Sequence, residues 1–587
     1  MAIWLTINRA CNIRCKWCYA RETNYVSKDQ MSIEDLDKVL SFIIDSKDRD
    51  IIILGGEPTV YPHLEYLLSK CKEYDLRTTL VTNGLKFKNK DYLKHLYEIG
   101  LDQVDISIKA SSNDEYKKDT GVAAFDDVMT AIRNLKELKK EFTCSMVITK
   151  ETVKSFVRGA EFAFNNGCTS LNMSFVYDFN TSLEKDSNYL EDNNPFALIN
   201  DFCLQFHKLN KITKGRFSIE NGYPLCIYTD DQLKLLENNI ISSCQLLENN
   251  GILFDTDLSI IPCNLMYKIK VGKLGKDFNN FEEFINFKNS EKYNTPFNML
   301  RSLPSKVCLD CKELRYCGGG CTCLWTNTSF DDLTMKKEML LEKMKIEHID
   351  ELQKEFNLIL NECGGEEIVN RKYNLDSVED ESVGIIRIKR TINRHSKWIE
   401  NRVDKYNRNN DLSLEGHKYK KIVLILESPH IKEFDEFYGN HPALGTTGNN
   451  IKDLLPDLLN RYIPTTVDNN GNSLYDSKYD ILDDDYEIVL VNPVQFQCSQ
   501  GLTNSDFKYK VLNKCLGKNR KTDVFVSDFL LRISYLNPDI IINCSTNEVK
   551  KIIWSLIDDA KLTSTLFLEA KHPSVWNKKE SITHKEE

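Results

Sequence analysis

Short apolar stretches alternate with amphipathic helical patterns through the first 176 residues, and this alternation restricts the fold more than any other feature of the chain. Strands are expected at residues 3–7, 50–54, 77–82, 103–108, 143–149 and 170–175. Between the first two lies SIEDLDKVLSFIIDS, where Ser32 can cap a helix and Leu36, Val39, Leu40 and Ile43 recur on one face. Strands separated by helices pair in parallel, so six such units imply an α/β fold. A barrel or partial barrel fits as well as an open sheet, and in either the loops after the strands carry the chemistry.

At 587 residues the chain exceeds one compact domain, since a domain takes roughly 100 to 200 residues. A hydrophobic share of 41% and a charged share of 28% exclude wholesale disorder. Apolar runs such as 51–54 and 422–426 fall far short of the ~20 residues a membrane helix needs. The N-terminus has no basic region followed by an extended apolar one, so a cytoplasmic location is expected, with no membrane partner. In such a compartment 19 unevenly spaced cysteines point to metal or iron-sulfur ligation rather than disulfides.

Cys11, Cys15 and Cys18 lie in CNIRCKWCYA, directly after the first expected strand. Three thiolates so spaced can hold three irons of a cubane cluster and leave the fourth iron open. The competing interpretation is a zinc site short of a ligand, or a set of structural thiols. The segment resembles the radical S-adenosylmethionine (SAM) enzymes, whose signature is CxxxCxxC with an aromatic beside the third cysteine, here Trp17 and Tyr19. The rest of that family's pattern follows in order: GGEPT at residues 55–59, VTNG at 81–84 and SIK at 107–109, each at a strand end.

The resemblance implies a [4Fe–4S] cluster on Cys11, Cys15 and Cys18 whose open iron chelates SAM. It places Tyr19, Gly55, Gly56, Glu57, Asn83, Ser107 and Lys109 around SAM, with the glycine turn and Glu57 at its amino group and the SIK residues at its ribose and carboxylate. The glycines allow close backbone approach, and a carboxylate suits an ammonium. One electron from an external donor then yields methionine and a 5'-deoxyadenosyl radical that abstracts a substrate hydrogen.

Cys308, Cys311, Cys317 and Cys321 form CxxCxxxxxCxxxC, and Cys244 and Cys263 lie upstream. Together they look like the SPASM extension of radical SAM enzymes, which holds auxiliary iron-sulfur clusters; four thiolates also suit a structural zinc. The match departs in two ways. The glycine that the extension places five residues before its second cysteine is Leu258, and a last cysteine beyond Cys321 is missing. Cys323 or Cys363 can substitute for it, and Cys226 can enter the other cluster, so one or two auxiliary clusters are expected. SPASM enzymes mostly modify peptides and proteins, which favours a peptidyl substrate; against that, no leader-binding module is expected before the first strand.

Later in the chain, KKIVLIL runs into ESPHIKEFDEFYGNHPALGTTGNNI, LVNPVQF follows, and KHPSVW lies near the C-terminus. The spacing is similar to the uracil-DNA glycosylase superfamily, especially its family 4 branch. The resemblance implies a pocket in which Glu427 activates or orients water, Asn492 reads a base edge and His572 stabilises a departing base. Ala443 stands where the family stacks a phenylalanine, and the family's own cluster cysteines are not reproduced. Residues 411–587 hold 21 Lys plus Arg against 26 Asp plus Glu, which is poor for duplex binding. The basic stretch FKYKVLNKCLGKNRK is either a local phosphate contact or a solvated helix face.

The expected organisation is a partial (β/α)6 radical SAM barrel at 1–180, a connecting segment at 181–243, a SPASM-like domain at 244–332, a charged helical linker at 333–384 and a glycosylase-like α/β domain with a central parallel sheet at 385–587. The expected function is radical modification of a peptide or small protein. The alternatives are a nucleic-acid or nucleotide enzyme whose glycosylase-like domain holds the base, and an iron-sulfur protein that only senses SAM.

Overall fold

The computed structural model describes residues 2–18, 20, 23, 25–176, 194–220, 222–241, 244–248, 250–326, 328–364, 377–389, 395–401, 419–429, 433–435, 439–443, 446–462, 484–498, 505–562 and 566–585. They divide into two compact units, Met1–Met344 and Lys345–Glu587.

In the first unit, β1 (Ala2–Thr6), β2 (Asp50–Leu54), β3 (Arg77–Thr82), β4 (Gln103–Ile108), β5 (Phe142–Ile148) and β6 (Cys168–Phe175) are parallel neighbours in chain order. The crossings use α1 (Ile33–Ser46), α2 (Leu64–Glu73), α3 (Lys90–Ile99), α4 (Asn113–Thr120), α5 (Phe125–Glu137) and α6 (Phe156–Asn165). Sequential order without reversal is the winding of a barrel segment and not of a doubly wound sheet. Helix α1 follows the sequence closely: the Ser32 side chain accepts from the Asp35 N–H, and Leu36, Val39, Leu40, Phe42 and Ile43 are buried. Such a cap contributes about 1 kcal/mol.

The sheet does not stop at six strands. The stretch read as a connector supplies α7 (Pro195–Thr213), β7 (Phe217–Glu220) and β8 (Ile240–Ile241), which continue the parallel order. The cysteine-rich segment supplies β9 (Gly251–Phe254), parallel to the free side of β1, followed by the antiparallel β10 (Ser259–Ile260) and β11 (Gly272–Lys273). Strands of two to four residues are too short to display an alternation, which is why periodicity did not find them. An aromatic cluster joins this late segment to α1: the Phe42 ring lies 5.4 Å from Phe254 and 5.7 Å from Phe284. All of these strands belong to one sheet within the first compact unit.

The second unit has a sheet in the order β13-β12-β17-β14-β18-β19-β20. Its strands are β12 (Glu381–Lys389), β13 (His395–Asn401), β14 (Lys420–Ile425), β17 (Asp484–Val491), β18 (Ile540–Asn543), β19 (Leu566–Glu569) and β20 (Thr583–His584), with a small hairpin of β15 (Phe434–Asp435) and β16 (Gly439–Asn440) beside it. The central four, β17-β14-β18-β19, are parallel. Part of the expected linker is core: Leu352, Phe356, Ile359, Leu360 and Cys363, on helix α8 (Lys337–Gly364), pack with Val423, Val489 and Phe496. The charges along α8 hide this buried stripe from a composition-based reading. No helix among the described residues is long and apolar enough to cross a membrane.

Candidate functional site

The loop leaving β1 carries the three cysteines and is clipped at two places. The Gly56 N–H donates to the Asn8 carbonyl and the Glu57 N–H to the Ala10 carbonyl, both at 2.8 Å. Further along, the Arg14 N–H donates to the Thr120 carbonyl at 2.8 Å and the Lys16 N–H to the Asp119 carbonyl at 3.0 Å. The first pair explains the two glycines. A Cβ on Gly55 would fall within 3.0 Å of Asn8, and one on Gly56 within 3.0 Å of the Arg9 and Ala10 carbonyls, closer than real Cβ atoms come. The turn is bare so that the cysteine loop can lie against it.

Cys15 is buried, and Cys11 and Cys18 are half-buried. Burial pushes the Cys11 thiol up to about 12, and Glu57, Cys15 and Cys18 add to the rise. Burial also raises Cys15, against the pull of the nearby Lys109 ammonium. Thiols so placed become thiolates when a metal replaces the proton, and three on one clipped loop fit a cubane cluster. Arg9, which sequence reasoning passed over, is 1% exposed and pairs with Asp255 at the end of β9. Its guanidinium lies 5.0 Å over the Tyr267 ring.

The other expected SAM residues gather at the ends of β2, β3 and β4, with the exception of Tyr19, which lies outside the described residues. Glu57 Oε1 accepts from the Thr59 N–H at 3.0 Å, Thr59 Oγ1 at 2.7 Å and Thr82 Oγ1 at 2.6 Å, and Oε2 accepts from the Asn83 N–H at 2.8 Å. In this structure its carboxylate ties two strand ends together. Asn83 Nδ2 donates to Asn12 Oδ1 at 2.7 Å, linking the third strand end to the cysteine loop. Lys109 Nζ donates to Ser107 Oγ at 2.7 Å.

The late cysteines fall into two groups of four. Cys244 and Cys263 feel the charge of Cys321, and Cys323 shares a hydrogen bond with Cys321 and feels Cys263 and Cys244. Cys226 feels Cys317 and Cys308, and Cys308 feels Cys317 and Cys311. Cys317 Sγ also accepts from the Leu225 N–H at 3.3 Å. Cys363 is in the core of the other unit and joins neither group. Among the described residues, no three His, Cys, Asp or Glu side chains converge on a single point as one metal ion would require. Leu258, where the SPASM pattern expects glycine, has φ +63°, the conformation glycine adopts freely and leucine at a cost of about 1–3 kcal/mol.

The Radical SAM superfamily model matches residues 5–163, which span the cysteine loop and the three strand-end motifs that follow it. Residues 5–163 are a radical SAM domain. The cofactors of radical SAM proteins are a [4Fe–4S] cluster and SAM, and membership marks the chain as an enzyme. The chain is similar to a probable GTP 3',8-cyclase of Thermococcus kodakarensis, 25% identical over 146 residues, covering 25% of this chain and 47% of that one. A probable GTP 3',8-cyclase of Sulfolobus acidocaldarius is 24% identical over 307 residues, covering 46% of this chain and 96% of that one. The chain spans about half the length of most of the curated relatives it matches. Among solved structures, Streptococcus suis SuiB bound to precursor peptide SuiA aligns at 17% identity with a TM-score of 0.43, covering 56% of this chain and 72% of that one.

Outside the radical SAM domain, Glu427, Asn492 and His572 stand after β14, β17 and β19, all at the carboxyl edge of the second sheet. Glu427 Oε1 accepts from the Thr546 N–H at 2.7 Å and Oε2 from Lys508 Nζ at 2.5 Å. Burial would raise its carboxyl, but Lys508 and Thr546 outweigh it and hold the group below the usual range. Asn492 is 2% exposed, and its Oδ1 has no hydrogen-bond partner among the described residues. His572 Nδ1 accepts from the Ser574 N–H at 3.3 Å; burial lowers its pKa, against the pull of Glu427. Arg532 holds the Asn492 loop, donating from Nη2 to the Asn492 carbonyl at 3.1 Å while its other nitrogens pair with Asp380 and Asp528.

Five of the six basic residues in the basic stretch have partners within the second unit. Lys508 reaches Glu427, Lys510 donates to the Cys363 carbonyl at 2.8 Å, Lys514 and Lys521 flank Glu362, and Arg520 pairs with Asp523. Its charge is used inside the unit.

Proposed function

We propose that the chain is a radical SAM enzyme with two auxiliary iron-sulfur clusters that modifies a peptide or small protein by hydrogen abstraction. The observation that carries this is the separation of the late cysteines into two sets of four on the unit that holds the Cys11, Cys15 and Cys18 loop. In this reading Cys244, Cys263, Cys321 and Cys323 hold one cluster, and Cys226, Cys308, Cys311 and Cys317 the other. Both sets, and the left-handed Leu258, support the SPASM-like assignment, which is what favours a peptidyl substrate.

When bound, the SAM-site cluster supplies the electron that generates the abstracting radical. The protein's part is orientation and exclusion. The clipped loop and Gly55–Gly56 turn fix the thiols, Asn83 braces that loop through Asn12, and Lys109 puts a positive charge near Cys15. The test is anaerobic 5'-deoxyadenosine formation with SAM and a strong reductant, comparing peptide and nucleic-acid fractions. Stimulation removed by protease supports the proposal; stimulation removed by nuclease overturns its substrate class.

A second reading, a nucleotide substrate, is favoured by the buried Asn492 Oδ1, which has no hydrogen-bond partner among the described residues, at the carboxyl edge of the second unit's sheet. The cyclase relatives, which are named for GTP, also favour a nucleotide.

A further inference from the structure

Between β4 and β7 the sheet of the first unit has two unlike faces. Ile108 and Met146 lie on one, and α6 covers it: a Cβ on Gly159 would come within 3.1 Å of Met146 and 3.3 Å of Ile108. The alternate residues are polar. Ser107, Ser145, Asn172 and Ser218 stand in register, one from each of four adjacent parallel strands. Alternate side chains of a strand point to opposite faces, so this row is on the face that α6 does not cover.

Most of the charge on this face is already matched. Lys109 Nζ donates to Ser107 Oγ at 2.7 Å, Ser107 and Ser145 Oγ lie 3.1 Å apart, and Ser145 Oγ donates to Asp105 Oδ1 at 2.6 Å. Thr143 Oγ1 occupies the other Asp105 oxygen at 2.7 Å. Hydroxyls thus relay between the Lys109 ammonium and the Asp105 carboxylate, and nothing in the relay reaches Glu220.

Glu220 ends β7, opposite Ser174 and one row nearer the carboxyl edge than Ser218. Its carboxylate has no hydrogen bond or ion pair among the described residues. The residue is exposed, yet burial raises its carboxyl and Asp105 adds to the rise. A group that solvent reaches while protein hems it in lines a cavity, and a bound cation would offset both causes of the rise. Cys263, pushed up to about 12 chiefly by burial, also feels Glu220, so the carboxylate faces the first proposed auxiliary set. Lys109, which the resemblance puts beside SAM, ends a strand three steps away, about 14 Å along the sheet at ~4.8 Å a step. Beside Glu220, Ser218 Oγ donates to Asn172 Oδ1 at 2.6 Å. That leaves the Asn172 amide hydrogens as donors and the Ser218 lone pairs as acceptors, the two partners a peptide group needs.

We propose that Glu220 is the substrate anchor of the radical SAM unit: it pairs with a basic side chain of the peptide, whose backbone lies along Asn172 and Ser218. The charge of the anchor selects the peptide, and its place on β7 holds that side chain away from the SAM end of the face. This rests on the peptide reading of the enzyme and deepens it.

The experiment is calorimetric titration of the reconstituted full-length protein, with SAM present, using blocked alanine tripeptides whose central residue is lysine, arginine, norleucine or glutamate. The lysine or the arginine peptide is expected to bind about tenfold or more above norleucine, and the tighter of the two names the side chain. Glu220→Gln should abolish that preference, and Glu220→Lys should transfer it to the glutamate peptide. Equal binding of the basic and norleucine peptides, or binding of none, overturns the anchor. A basic preference that survives Glu220→Gln also overturns it, since the chain's net charge of -10 would then be the cause. If a peptide fraction stimulates SAM cleavage by the unaltered protein while no such preference is found, the anchor fails and the peptide reading stands.

Discussion

Gly56→Ala should strip iron from the SAM-site loop. A Cβ there would meet the carbonyl oxygens of Arg9 and Ala10, both backbone and neither able to swing aside. Relief requires the loop to move away by about an ångström, which breaks the Gly56-to-Asn8 and Glu57-to-Ala10 hydrogen bonds. Two such bonds are worth about 2 kcal/mol, and forcing a methyl into a closed contact costs about 1–3 more. The expected loss of about 3–5 kcal/mol is a large part of an ordinary domain's stability of about 5–15 kcal/mol. Anaerobically reconstituted variant and parent would be compared by iron content, EPR of the reduced clusters and denaturant unfolding. Gly275→Ala, in open space but at φ +83°, is the control and should cost only about 1–2 kcal/mol. If Gly56→Ala retained full iron and unfolded within about 1 kcal/mol of the parent, the contact between turn and loop would not be what the glycine serves.

Cys226→Ser and Cys323→Ser should each deplete one auxiliary set, lowering iron by up to about four atoms per chain, and the double variant should lose both contributions additively. Thr82→Val removes one donor to the buried Glu57 carboxylate and should destabilise the first unit by about 1–3 kcal/mol in denaturant melts; no change would mean the carboxylate is satisfied elsewhere. Asp528, although burial opposes it, is held down to about 2 by Arg532 and His348. Its folded value lies below the unfolded value of about 3.9, so its contribution of about 2–3 kcal/mol is complete above pH ~4 and is lost as pH falls toward 2. Hydrogen exchange in peptides covering residues 524–536 should show that loss, and Asp528→Asn should flatten it.

The strand-end motifs were readable because they follow strands long enough to announce themselves, such as β3 and β4, and because the cysteine spacing has few chemical meanings. What was not readable depended on distant partners. Nothing local shows that Arg9 meets Asp255, or that Lys508 turns inward to Glu427, since a lysine on a polar helix looks the same whether it faces water or a carboxylate. The short β7 to β11 were hidden for another reason: two to four residues carry no period, and a strand such as β9, buried at all four positions, does not alternate. The buried stripe of helix α8 was not readable because its many charges outnumber the few residues that matter for packing. The sequence offered Cys323 or Cys363 as the missing last ligand and Cys226 as an entrant to the other cluster, and the neighbours of Cys226 and Cys323 fall in different groups.

The pairing of β9 with β1 has a consequence for how the protein is made. Ala2 to Leu5 find their partners in Gly251 to Phe254, and Arg9 finds its counter-ion 246 residues away. During synthesis β1 therefore waits for its flank until the chain has grown past residue 255, on the order of 10–50 s at ~5–20 residues per second. Contacts of such long sequence separation form late and slowly. Throughout that interval Arg9, two residues before Cys11, lacks the carboxylate it pairs with. The strand before the cysteine loop thus reaches its final setting only once the chain through β9 has been made.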